Sequence, residues 1–134
     1  MILRTLFVAA LAAALPLAAG QAAPLPSQEI RARTAGGEFR GYGNTRRAPL
    51  EDVIWRFRPD GTVTAFSQIR RKYPSNSQFE EYSDSGRWRV EGDRLCVAFE
   101  SGHREFSGCY AVNGIEGDHV RLGGPVQLEG TLGH

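Results

Sequence analysis

The chain has 134 residues, with 16 Lys+Arg against 15 Asp+Glu, two cysteines and 41% apolar residues. Residues 1–22 hold 17 of the apolar residues, and the other 112 positions are 34% apolar with 15 basic and 15 acidic side chains. That remainder has room for one core, falls short of a (β/α) barrel or a two-lobed enzyme, and lacks the basic footprint that nucleic-acid binding needs.

Residues 1–4 give a short start with one basic side chain, residues 6–15 an apolar stretch ended by Pro16, and Ala18, Ala19, Gly20 and Ala22 a small-residue exit. This order predicts a Sec-type secretory signal peptide over 1–22, cleaved after Gly20 or Ala22, and a single β domain over 23–134. The apolar stretch is too short for a membrane span, no cysteine near the cleavage region could take a lipid, and no Arg-Arg pair marks twin-arginine export. The expected location is periplasmic or secreted, with no membrane span.

Residues 24–26 read as an extended lead-in. Ser27 is placed to cap one or two helical turns through about Thr34, ended by Gly36-Gly37. Helical periodicity then disappears. Val53, Trp55 and Phe57 alternate with Ile54, Arg56 and Arg58, the two-residue period of a strand with one buried face. Residues 58–62 (Arg-Pro-Asp-Gly-Thr) supply turn chemistry. Pairing Arg58 with Thr62 sets Phe57 opposite Val63 and Trp55 opposite Ala65.

Two further hairpins are drawn with Gly first in a two-residue turn, Gly92-Asp93 and Gly102-His103. The first pairs Val90 with Leu95 and Trp88 with Val97. The second pairs Phe99 with Phe106, Val97 with Gly108 and Leu95 with Tyr110. Both turns put Trp88, Val90, Leu95, Val97, Phe99, Phe106, Tyr110 and Val112 on one apolar face. On the other face Cys96 and Cys109 fall opposite each other at a non-hydrogen-bonded site, where Cα atoms lie about 4.5 Å apart, within disulfide range. In an oxidising compartment the bond is expected to form. A metal or redox pair would call for CxxC or a neighbouring His, and neither is present.

Turn signals at Asn113-Gly114 and Gly117-Asp118 flank a strand at 120–122, and 126–128 adds another. The expected strands are 38–43, 52–58, 62–70, 85–90, 94–100, 105–112, 119–122 and 126–129. The fold class is therefore all-β: an antiparallel up-and-down meander forming a small barrel or strongly curled sheet of 7–8 strands, with a short N-terminal helix.

The segments Trp-Arg-Phe-Arg-Pro-Asp-Gly-Thr (55–62), Gly-Arg-Trp-Arg-Val-Glu-Gly-Asp-Arg-Leu-Cys-Val (86–97) and Gly-Cys-Tyr (108–110) resemble small exported β proteins of alphaproteobacteria, a family of unknown function described as lipocalin-like. The likeness covers most of the mature chain and lies in turn, tryptophan and cysteine positions. It implies a barrel-like antiparallel fold and a disulfide, and no activity.

No constellation names a reaction. His103, His119 and His134 have no His or Cys at zinc-ligand spacing, there is no G-x-S-x-G, and Glu80, Glu81 and Asp84 read as loop carboxylates. The expectation is a non-enzyme with no catalytic residue, metal or cofactor. In a meander, connections alternate ends. Those at 43–51, 71–84 and 101–104 share one end, and long structureless loops such as 71–84 are usually functional or disordered. Arg46, Arg47, Arg71, Lys72, Tyr73, Phe79 and Tyr82, with His103, gather there as the candidate ligand- or partner-binding residues. Residues 31–72 carry ten basic and four acidic side chains, and residues 73–134 five and ten. Either the two halves offset each other across the sheet, or the basic, aromatic rim holds an anionic or amphipathic ligand or an acidic partner. The functional expectation is an exported binding or structural module of the cell envelope, holding a small ligand or envelope protein at its long-loop end. The alternative is a secreted protease inhibitor.

Overall fold

A computed structural model describes residues 22–73 and 76–134; the side chains of residues 70–73 and 76–79, and all of the predicted leader before Ala22, lie outside the described residues. The elements are β1 (Ala23–Pro24), α1 (Ser27–Thr34), β2 (Glu38–Asn44), β3 (Glu51–Phe57), β4 (Thr62–Tyr73), β5 (Asn76–Glu91), β6 (Arg94–Phe99), a 3-10 turn (Arg104–Phe106), β7 (Gly108–Glu116), β8 (His119–Gly123) and β9 (Gln127–Gly133). Strands β2 to β9 pair antiparallel with their chain neighbours, and β9 pairs back onto β2 from Glu38 opposite Gly133 to Asn44 opposite Gln127. Eight strands thus close an up-and-down barrel, which gives its wall no long free edge. The short β1 joins β7 beyond the point where β6 begins.

The two-residue period decides what faces inward. On β3, Glu51, Val53, Trp55 and Phe57 are buried while Asp52 and Arg56 are exposed. Trp55 occupies the centre, with ring centroids of Phe39, Phe99, Tyr110, Phe106 and Phe57 at 5.5, 5.5, 5.7, 5.9 and 6.4 Å. Leu95, Val97, Val112, Val120, Leu122, Leu128 and Leu132 complete a barrel interior packed with side chains.

The 58–62 turn forms as expected: Arg58 N–H donates to the Thr62 carbonyl at 2.9 Å, Phe57 lies opposite Val63 and Trp55 opposite Ala65. So does the turn at Gly92, whose φ of +58° is the left-handed geometry that favours glycine. The register Leu95–Tyr110, Cys96–Cys109, Val97–Gly108 also holds, and the cysteines are joined with their Cα atoms 4.0 Å apart. Cys96→Ser with Cys109→Ser should cost about 3 kcal/mol on the loop-entropy estimate. Urea unfolding should then give the double variant and the reduced parent the same midpoint.

Three expectations need correction. Ser27 is the first helical residue, with Pro26 at the N-cap, and its N–H is taken by Asp93 Oδ1 at 3.0 Å; the cap comes from the β5–β6 turn. The two-residue Gly102-His103 turn does not form. Phe106 leaves the ladder to enter the core, so residues 100–107 make a longer connection containing the 3-10 turn, and Phe99 N–H bonds to Ser107 Oγ at 2.9 Å. Finally, 71–84 is no structureless loop: β4 runs to Tyr73 and β5 restarts at Asn76, paired from Thr62 opposite Arg87 to Tyr73 opposite Asn76. β3 accompanies β4 only to Ile69, and β6 accompanies β5 only from Gly86. The hairpin therefore continues beyond the barrel rim as a two-stranded ribbon.

Helix α1 lies across the end with the tight turns. Ile30 and Thr34 are buried, Arg33 Nη1 donates to the Gly117 carbonyl at 3.0 Å, and His134 Nε2 lies 2.9 Å from the Ala32 carbonyl. The other end is the mouth, where connections 45–50, 100–107 and 124–126 gather.

Candidate functional site

The mouth is organised around Arg47. Its Nη2 lies 2.8 Å from Glu51 Oε1, its Nε 2.9 Å from Glu105 Oε1, and its Nη1 donates to the Gly102 carbonyl at 2.8 Å. The two carboxylate contacts are close charge contacts aimed off the N–H axes. The guanidinium carbon also sits 3.9 Å from the centre of the Tyr82 ring, a cation–π arrangement. Glu51, at the mouth-side end of the inward series on β3, has no solvent exposure and also accepts from Ser67 Oγ at 2.9 Å, while its Oε2 has no partner. Glu105 Oε2 accepts the Arg46 N–H at 3.2 Å. One arginine thus ties the 45–50 connection to β3, β5 and the 3-10 turn.

Beside it, His103 is fully buried, with its ring centroid 5.5 Å from that of Phe99 and 5.0 Å from that of Phe106. Neither ring nitrogen has a hydrogen-bond partner. Burial, then the nearby Arg47 charge, push its pKa down to about 4 against the opposing pull of Asp84. Asp84 holds the connection by its main chain: Oδ2 accepts from Ser101 N at 2.8 Å and His103 N at 3.0 Å, and Oδ1 from Ser85 N at 2.8 Å. Burial raises the Asp84 pKa, but the N–H groups of His103, Ser101 and Ser85 outweigh it and keep the carboxyl below its ordinary value.

Of the sequence-predicted residues, Arg47 and Tyr82 are brought together, and Arg46 is exposed at the rim. Arg71, Lys72 and Tyr73 fall on the ribbon opposite Gln78, Ser77 and Asn76, and Phe79 opposite Arg70; their side chains lie outside the described residues. Sequence reasoning missed Glu51, Ser67, Glu105 and the anchoring role of Asp84. Carrying the inward series one step back from Val53 would have placed a carboxylate inside the barrel. Arg47–Glu105 joins the basic first half to the acidic second, whereas Arg56–Glu38, Arg89–Glu91 and Arg121–Glu129 pair within a half.

His119 Nε2 contacts Glu129 Oε1 at 3.0 Å on the outer wall, away from the mouth. Glu91 approaches the two cysteine sulfurs, but these are bonded to each other and the Glu91 carboxylate is held by Arg89 at 2.9 Å. Among the described residues no helix is long and apolar enough to cross a membrane. Comparison of the chain with protein-family models, with curated proteins and with solved structures finds no match.

Proposed function

We propose that the chain is a non-enzymatic binding module of the bacterial cell envelope, exported through the leader at 1–22 to the periplasm or the exterior. We place it with the small exported, lipocalin-like β proteins that its turn, tryptophan and cysteine positions resemble. The disulfide fits an oxidising compartment. The observation that carries the reading is the contrast between a barrel filled by the Trp55 cluster and a β4–β5 ribbon that runs on past the rim. A filled interior favours contact on the rim by a protein or an amphipathic envelope component over a ligand held inside the barrel.

The test is capture of envelope components by immobilised mature protein, with dose dependence and identification by mass spectrometry. Arg46→Ala, Arg71→Ala and Lys72→Ala together should weaken that binding by about tenfold or more. Unchanged binding would put the site elsewhere. A second reading, a secreted protease inhibitor, is favoured by the same ribbon, because an extended strand can be offered to a protease cleft. Inhibition of periplasmic or secreted proteases with 71–84 left uncut would replace the first reading with the second.

A further inference from the structure

His103 is buried with both ring nitrogens enclosed among protein atoms and neither paired. A neutral imidazole leaves one donor and one acceptor unmet there; an imidazolium would leave two donors and a full charge. The charged groups around it offer little relief. From the 45–50 connection Arg47 faces it with like charge. From β5, Asp84 already accepts main-chain N–H groups, including that of His103 itself. On the same connection Glu105 is engaged by Arg47 and by Arg46 N–H, and Arg104 Nε donates to the Glu100 carbonyl at 2.8 Å. From β3, Glu51 points into the mouth with Oε1 on Arg47 and Ser67.

The connection is also mechanically bounded. The Cys96–Cys109 bond pins β6 to β7 just below it, so the ladder beneath can stay closed when residues 100–107 move. Gly108, at φ +144°, is the point where β7 begins. We propose that the 100–107 connection is an acid-operated latch on the barrel mouth: protonation of His103 drives its ring from the slot between Phe99 and Phe106, lifts the connection and uncovers the aromatic interior, while the eight-strand barrel stays closed.

The direction follows from linkage. In the closed form the His103 pKa lies near 4, below the ordinary value of about 6.5, so the open form binds the proton more tightly. The closed form loses stability as pH falls from about 6.5 toward 4, and the opening equilibrium rises by up to a few hundred-fold below that. Asp84 is held below the ordinary carboxylate value by the N–H groups of His103, Ser101 and Ser85. The latch is a property of the free chain and does not depend on what binds the rim.

The experiment is an NMR pH titration of the oxidised mature protein, following the His103 ring together with amide protection. Near pH 4 the His103 resonance should shift in step with loss of protection at 100–107, with β2, β3 and β9 still protected. Titration near pH 6.5 without a structural change overturns the latch. So does titration near 4 with protection retained, or loss of all strands at once. His103→Phe, which fits the slot and cannot be protonated, should move the opening midpoint down by about one pH unit or more. An unchanged midpoint would assign the event to Asp84 and overturn the proposal. Should the variant fail to fold, the titration of the parent decides alone.

Discussion

Replacing Trp55 with alanine should cost about 4–5 kcal/mol of folding stability, the largest loss expected from truncating any one apolar side chain here. The indole has no solvent exposure and touches five aromatic rings drawn from β2, β3, β6, β7 and the 3-10 turn. Those rings are held by strands whose pairing closes the barrel, so they cannot collapse into the space without breaking the ladder. A domain of this size has a total stability of about 5–15 kcal/mol, so the variant should populate unfolded chains readily. Trp55→Phe separates volume from polarity. It removes a buried Nε1–H that has no partner, so its cost should be smaller, about 1–2 kcal/mol. Trp88 is the internal control: it is half-buried at the closed end and its Nε1 donates to the Arg58 carbonyl at 2.8 Å. Urea midpoints for the three variants should rank Trp55→Ala lowest. Equal losses for Trp55→Ala and Trp88→Ala would mean that the core is not centred where the packing places it.

The barrel wall was legible wherever one face of a strand meets the core and the other meets water. Alternation at 53–57 and the facing sets on 86–97 and 108–112 carry that signal; two registers read from turn chemistry match the ladder, and a third matches from Leu95–Tyr110 to Val97–Gly108 although its two-residue turn does not form. Two places were illegible for physical reasons. Beyond Ile69 and before Gly86 the β4–β5 ribbon has no third strand on its outer edges, and its mostly polar sequence offers no apolar alternation to read. At 100–107 the approximate symmetry about Gly102-His103 suits a tight hairpin, but burying Phe106 and His103 at the barrel mouth outweighs two more ladder pairs. The candidate site was half visible. Arginines and aromatics announced themselves by composition, whereas Glu51 and Ser67 are polar residues at inward positions that only the closed barrel brings beneath Arg47.

Arg47 decides between a binding rim and a structural clasp, and stability measurements can separate the two. Its side chain is 20% exposed and faces a Glu51 carboxylate with 0% exposure. Arg47→Ala should therefore leave Glu51 buried without a cation and cost about 3–5 kcal/mol, far above the 0–1 kcal/mol of an exposed pair. Glu51→Leu alone strands the guanidinium against the mouth but leaves Glu105 as its partner, so its loss should be smaller, about 2 kcal/mol. Arg47→Met with Glu51→Leu removes both charges and keeps the volume, and should recover most of the loss, because an apolar pair of similar size avoids the desolvation of both ions. The coupling from this cycle should reach about 2 kcal/mol and change little with salt, since the pair is screened from solvent. A coupling near zero would show that water reaches Glu51 and that Arg47 is free to engage a ligand. A large coupling, with envelope binding intact in the Arg47→Met, Glu51→Leu variant, would leave recognition to Arg46 and the ribbon.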